Sequence, residues 1–164
     1  MTTMPQQKPG RSKQDYQTPP ELLYAVKSRL AIGQFDIDLA ASAENAVCPN
    51  FYDEDDDSLS DKCPWWFTSG RWAWLNPPFS DIEPWVMKAV SEAKKGANIV
   101  MLVPSSVGSN WWKEWVDRQA YISHLNGRLT FVGADGPYPK DCSLLLYTPW
   151  GFRGTETWTW KDQL

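Results

Sequence analysis

A chain of 164 residues can bury one substantial hydrophobic core but not two, so the sequence is read as a flexible basic arm over residues 1–14 and a single domain over 15–164. Residues 1–14 carry Lys8, Arg11 and Lys13 without an apolar run, and no stretch nears the roughly 20 apolar residues that span a bilayer; no secretory signal or membrane partner is expected, and the expected location is cytoplasmic. The net charge of −4 argues against a protein that coats nucleic acid by charge alone, yet Asp53, Glu54, Asp55, Asp56, Asp57 and Asp61 crowd six negative charges into nine residues and leave +2 for the remainder.

In chain order, Thr18-Pro19-Pro20-Glu21 predicts a helix start, with Thr18 as N-cap, Pro19 at the first helical position and Glu21 closing a capping box. Leu22, Leu23, Val26 and Leu30 then share one face of a helix ending near Leu30. Phe35-Asp36-Ile37-Asp38-Leu39 alternates apolar and polar residues and meets the small Ala40-Ala41-Ser42, which predicts a strand ending in a tight turn open to a ligand. Residues 43–70 are irregular and hold only short elements. Trp72-Ala73-Trp74-Leu75 reads as a second strand, stopped by Asn76-Pro77-Pro78 because proline cannot donate within a central ladder. Ser80-Asp81-Ile82-Glu83 is a second capping-box pattern, and Ile82, Val86, Ala89, Val90 and Ala93 give the following helix an apolar face until Gly96 ends it.

Residues 99–103 are an unbroken apolar run, as in a strand buried on both faces. A tryptophan-rich helix is predicted over 110–118, then strands near 121–125, 129–132 and 143–148, with the turn-rich residues 133–139 joining the last two as an antiparallel hairpin. Strand, helix and strand in succession predict an α/β fold, a mostly parallel sheet with an antiparallel C-terminal hairpin. Of the 11 tryptophans most are expected in packing and the rest are available to stack on bases. Cys48, Cys63 and Cys142 lack a CxxC spacing and, with the single His124, make no zinc set, so they read as reduced buried thiols and no metal is expected.

The segment that carries chemistry is Asn76-Pro77-Pro78-Phe79. A polar residue, two prolines and an aromatic in this order arise by chance in fewer than about one chain of this length in a hundred. The segment also lies just past a strand's carboxyl end, where open α/β sheets bind ligands. An exocyclic amine conjugated to a heteroaromatic ring is a poor nucleophile, and its lone pair must be drawn out of conjugation before it can attack. Two acceptors around the amine do this: the side-chain oxygen of Asn76 takes one N–H and the main-chain oxygen of Pro77 the other. Pro78 restricts Pro77 to an extended conformation, so that carbonyl is aimed before anything binds. Phe79 would lie against a base taken out of the duplex. The plainer alternative is a loop that ends a strand, with Phe79 in the core.

With these residues in view, the chain resembles the phage-type DNA N-6-adenine methyltransferases, the Dam-like family, over roughly Asp15 to Pro149. Asp15-Tyr16-Gln17-Thr18-Pro19 resembles the family's D-x-x-T-P segment, which implies that Tyr16, Gln17, Thr18 and Pro19 contact the methionine part of S-adenosylmethionine. The segment from Phe35 to Ser42 resembles the cofactor motif, which implies Asp38, Ala40, Ala41 and Ser42 beside the cofactor. Asp56-Asp57-Ser58-Leu59 is similar to an acidic-small-Leu element and implies Asp57, Ser58 and Leu59 near the adenosine. Trp74-Leu75-Asn76-Pro77-Pro78-Phe79 is similar to the catalytic motif, with Asn76 also beside the cofactor. Leu102-Val103-Pro104-Ser105 and Gly127-Arg128-Leu129-Thr130-Phe131 are further family-like segments.

The resemblance implies a trimmed Rossmann-like methyltransferase fold, because the interval from Leu39 to Trp72 is short for the usual strand and helix pairs. It implies methyl transfer to the N6 amino group of a flipped adenine in double-stranded DNA, by a phage enzyme working in the host cytoplasm and protecting DNA from restriction. No separate DNA-recognition domain is evident, so residues 106–112 and 133–140 are the expected DNA-contacting loops. The four-residue motif alone leaves open an amine in RNA, cytosine N4 or a protein glutamine, and a non-catalytic DNA-binding protein on the same fold.

Asp53, Asp55 and Asp57 are spaced like the start of a calcium loop, but Ser58 replaces the glycine and Pro64 the closing glutamate, so a solvated acidic loop is the reading. His124 is read as a surface residue at a strand end and assigned no role.

Overall fold

The computed structural model describes residues 16–66 and 70–164. The arm over 1–14 and Asp15 of the D-x-x-T-P segment lie outside the described residues. The described elements are α1 (Pro20–Leu30), β1 (Ile37–Asp38), β2 (Ala73–Leu75), α2 (Glu83–Lys94), β3 (Ile99–Pro104), α3 (Asn110–Trp115), β4 (Tyr121–Leu125), β5 (Cys142–Tyr147), β6 (Gly154–Trp158) and a closing 3-10 turn, Trp160–Gln163.

The six strands form one sheet in the order β1-β2-β3-β5-β4-β6. β1, β2 and β3 are parallel, β5 is antiparallel to both β3 and β4, and β6 is parallel to β4. Five strands therefore run one way and β5 alone runs back, which is the mostly parallel α/β sheet expected. β1 pairs directly with β2, and no helix and strand pair stands between them among the described residues, so the fold is trimmed where the short interval predicted.

Strand alternation splits the core into two layers. Ile37, Ala73, Leu75, Ile99, Met101, Val103 and Leu145 face α2 and α3, while Trp74, Val100, Leu102 and Leu144 face α1 and the 3-10 turn. β3 is buried along its whole length because helices cover both of its faces.

Several local expectations are corrected. Thr18 does not cap α1: Pro19 is the N-cap, with no side-chain bond. The second capping box is also absent, since Ile82 is the N-cap of α2 and Pro84 sits in its first turn. α3 stops at Trp115, and Arg118 turns the chain with φ 62°. Residues 129–132 are not a strand. Leu129 and Phe131 are buried and their neighbours exposed, as alternation demands, but among the described residues the segment makes one isolated bridge, Gln17 to Val132. The antiparallel hairpin pairing thus joins β4 and β5, with 126–141 as the connection. β6 was not anticipated, although the β-branched Thr155 and Thr157 alternating before Trp158 carry its signal.

Candidate active site

Parallel strands deliver their following loops to one edge, and that edge gathers most of the expected residues. Asn76-Pro77-Pro78-Phe79 leaves β2, Leu39 to Ser42 leaves β1, and Ser105 leaves β3. The Asn76 amide is held from the N-terminal side. Its Nδ2 donates to the Tyr16 main-chain oxygen at 2.6 Å and to Thr18 Oγ1 at 3.2 Å. A carbonyl oxygen can only accept, so the nitrogen must face Tyr16. The other end of the amide, Oδ1, is buried and has no hydrogen-bond partner. A buried acceptor without a donor costs about 1–3 kcal/mol, which marks a place where an N–H donor is wanted.

Phe79 belongs to a box of four rings in which every pair is in contact. Tyr16 stacks on it at 5.6 Å and 24°, while Phe131 and Tyr138 meet it edge-on at 6.0 Å and 5.6 Å. Tyr16 in turn touches Phe131 at 5.1 Å and Tyr138 at 5.9 Å, and Phe131 and Tyr138 are 5.6 Å apart. Main-chain bonds place these rings: Val132 N–H donates to Gln17 O at 3.0 Å and Tyr138 N–H to Leu129 O at 2.7 Å. Burial pushes the Tyr138 hydroxyl up to about 12. Sequence reasoning did not assign Phe131 or Tyr138 to the site. The signal available was an aromatic in each of the two segments, 127–131 and 133–140, that were already singled out.

The expected cofactor residues divide. Asp38 ends β1 and is buried, its carboxylate accepting from Ala40 N–H at 3.3 Å and Val47 N–H at 3.1 Å. It folds residues 39–47 into a loop, helped by the exchange of Tyr52 N–H to Asp38 O and Ala41 N–H to Tyr52 O. Ala40 and Ala41 are buried, and Ser42 N–H is bound to Asn45 Oδ1 at 2.7 Å. Ser58 is buried with its hydroxyl accepting from Trp65 Nε1 at 3.2 Å. Its carbonyl accepts from Lys88 Nζ at 2.7 Å, as do those of Ser60 and Cys63, so the segment holding Asp57, Ser58 and Leu59 is fastened to α2. Asp57 itself is exposed at φ 55°.

Burial outweighs the two N–H bonds at Asp38 and pushes its carboxyl up to about 7. A carboxyl raised from its ordinary value of 3.8 holds a proton in the folded state that the unfolded chain has lost. Its contribution to stability is therefore full below about pH 4 and falls as pH rises toward 7. We expect Asp38→Asn to flatten the pH dependence of thermal unfolding between pH 5 and pH 8; an unchanged slope in the variant would place the titration elsewhere.

In the acidic segment, Asp53 Oδ1 accepts from the N–H groups of Asp55 and Asp56, and Asp56 Oδ2 accepts from Asp53 N–H, so these carboxylates cap their own turn. His124 is half-buried rather than at the surface: its Nδ1 lies 2.7 Å from Ser143 Oγ, and its ring stacks on Trp112. The three cysteines are buried and free.

The sheet edge and the buried acceptor without a partner define a class, an α/β protein that presents a polar-Pro-Pro-aromatic motif at the carboxyl end of a parallel strand. The chain belongs to the DNA N-6-adenine-methyltransferase (Dam) family, whose model matches residues 6–145. It is 32% identical over 115 residues to a DNA N-6-adenine-methyltransferase of Escherichia phage T1, covering 70% of this chain and 46% of that protein. It is 30% identical over 103 residues to a DNA N-6-adenine-methyltransferase of Haemophilus phage HP1 (strain HP1c1), covering 60% and 56%. The chain thus spans about half the length of these curated relatives. Among solved structures, a modification subunit of a putative type I restriction enzyme from Vibrio vulnificus YJ016 superposes on 90% of this chain and 48% of its own, at 10% identity and a TM-score of 0.45.

Proposed function

We propose that the chain transfers a methyl group from S-adenosylmethionine to the N6 amino group of adenine in DNA. The observation that carries this reading is the buried, donor-seeking Oδ1 of Asn76 beside Phe79, in a chain of the Dam family. Asn76 Oδ1 accepts one N–H of the adenine amine, the Pro77 main-chain oxygen accepts the other, and Pro78 keeps that oxygen aimed. The flipped base stacks on Phe79, which requires the ring of Tyr16 to yield some of its present contact. Held in this way, the amine would have its lone pair free to receive the methyl group in exchange for one of its protons, which would pass to solvent, the donor leaving as S-adenosylhomocysteine.

When bound, S-adenosylmethionine supplies the activated methyl group, and no metal is called for. Small residues at the end of β1 and an exposed carboxylate nearby in sequence fit such a group. Ala40, Ala41 and Ser42 would let backbone approach it, Asp57 and Leu59 would hold its adenosine, and Tyr16, Gln17 and Pro19 would hold its methionine part. Asp38, Ser58 and Thr18 have protein partners for their side chains and shape the surroundings. The residues 106–112 follow β3, and 133–140 precede the reversed β5, so both loops leave the sheet at the edge that bears Asn76; we assign them to duplex contact, with the exposed Val107 at the tip of the first. We place residues 15–164 in one catalytic domain, preceded by the basic residues 1–14. No described helix is long and apolar enough to cross a membrane. We extend the proposal to the purpose of the mark, the shielding of DNA from restriction nucleases.

The test is incubation of the chain with methyl-labelled S-adenosylmethionine and unmethylated double-stranded DNA, then nucleoside digestion and mass spectrometry. Labelled N6-methyladenine is the expected product. Label on cytosine, or on no base, would overturn the reading.

A further inference from the structure

A primary amide has two nearly isosteric ends, and only one of them can accept an amine's N–H. Rotation of Asn76 by half a turn about its last bond would aim an NH2 group at the adenine amine, donor against donor. The chain resolves this choice with groups outside the four-residue motif. Tyr16 O and Thr18 Oγ1 both receive Nδ2, at 2.6 Å and 3.2 Å, and Thr18 is buried at 4% exposure, so water does not compete for the contact. The same bonds explain why Thr18 fails to cap α1, since its oxygen is spent on Asn76 and the N-cap passes to Pro19.

We infer that Tyr16 and Thr18 form an orienting clamp for the Asn76 amide, with Thr18 a positioning residue for the amine-binding oxygen rather than a holder of the cofactor. The inference rests on the proposed role of Asn76. Its physical content is a demand for a donor at one end of residue 76. An ionised aspartate there would set a carboxylate oxygen against the Tyr16 carbonyl, two acceptors at contact distance. A protonated aspartate would restore the pattern, its O–H donating to Tyr16 O while the carbonyl oxygen remains for the adenine amine. Among the described residues, the titratable side chains in ring contact with Phe79 are the phenols of Tyr16, on the strand-like N-terminal segment, and Tyr138, on the loop before β5.

The experiment uses the full chain with labelled S-adenosylmethionine and unmethylated plasmid DNA, and measures S-adenosylhomocysteine binding by calorimetry. One neutral hydrogen bond to the amide is worth about 0.5–1.5 kcal/mol, so Thr18→Val should lower kcat by about 3- to 10-fold. Affinity for S-adenosylhomocysteine should stay within about twofold, and Thr18→Ser, which keeps the hydroxyl, should recover most of kcat. Weakened binding with kcat intact at saturation, an unchanged kcat, or equal losses in Thr18→Val and Thr18→Ser would each overturn the clamp.

Asn76→Asp provides the second arm and decides alone if Thr18→Val does not fold. Its residual kcat, relative to wild type, should rise as pH falls from 8.5 to 5.5, the protonated form being the competent one. A ratio independent of pH, including no turnover at any pH, would overturn the inference. Wild-type chain that labels no adenine would instead remove the functional reading itself.

Discussion

Asn76→Ala should lower kcat for adenine methylation by about 100- to 1,000-fold while leaving S-adenosylhomocysteine affinity within about twofold. The magnitude follows from what the side chain supplies. A preorganised hydrogen-bonding group aimed at charge that develops in the transition state is worth about 10²–10³ in rate when removed. In the proposed reaction Asn76 Oδ1 is such a group, because the amine becomes positively charged as the methyl arrives and its N–H bonds strengthen toward the acceptor. The truncation also strands the Tyr16 carbonyl and the Thr18 hydroxyl, at a cost of about 1–3 kcal/mol for a buried group. That loss leaves a folded chain to measure. Labelled-methyl assays on wild type and variant, with calorimetry for the cofactor product, separate the two effects. A variant within tenfold of wild type would move the chemistry away from Asn76-Pro77-Pro78-Phe79.

The parts of this site that the sequence made legible are those where backbone chemistry dictates form. Proline forbids a ladder, so β2 had to end at Leu75, and the apolar run from Ile99 had to be a doubly covered strand. The motif was legible for the same reason, and its place at the strand's end followed. What stayed hidden depends on side chains that meet across long separations. Thr18 reads as an N-cap until Asn76, 58 residues away, claims its hydroxyl. Residues 129–132 alternate like a strand, but strand formation needs a neighbour with free N–H and C=O groups. Among the described residues this segment makes one isolated bridge, to Gln17, and a turn bond from Tyr138 N–H to Leu129 O, while β4 and β3 already sandwich β5. Phe131 and Tyr138 likewise join Phe79 only because that extended segment folds over the N-terminal residues. The partners of the buried Asp38 carboxyl group were hidden as well, since the N–H of Val47, nine residues on, joins that of Ala40 only once the loop has folded.

Glu92→Ala should destabilise the fold by about 3 kcal/mol, and Glu92→Gln by less than about 1 kcal/mol. The segment from Tyr52 to Trp66 contains no helix or strand of ordinary length, so something outside it must hold it, and α2 does so with two side chains one turn apart. Lys88 gives its three protons to the carbonyls of Ser58, Ser60 and Cys63. Glu92 is buried, and its Oε2 accepts the N–H groups of Trp65 at 2.9 Å and Trp66 at 3.1 Å. Alanine leaves both donors without a partner. Glutamine can put its single carbonyl oxygen where Oε2 stands and accept both, losing chiefly the charge and the contact with the exposed Lys95 ammonium, which is worth little at the surface. For a chain of this size about 3 kcal/mol corresponds to a fall in Tm of about 6–12 °C. Scanning calorimetry of the two variants decides between the bonds and the charge: equal losses would assign the effect to the charge, and an unshifted Tm in Glu92→Ala would mean that α2 does not hold the segment. Because the same segment carries Asp57 and Leu59, Glu92→Ala should also weaken S-adenosylhomocysteine binding below its melting range, linking the helix that follows Asn76-Pro77-Pro78-Phe79 to the loop proposed to face the adenosine.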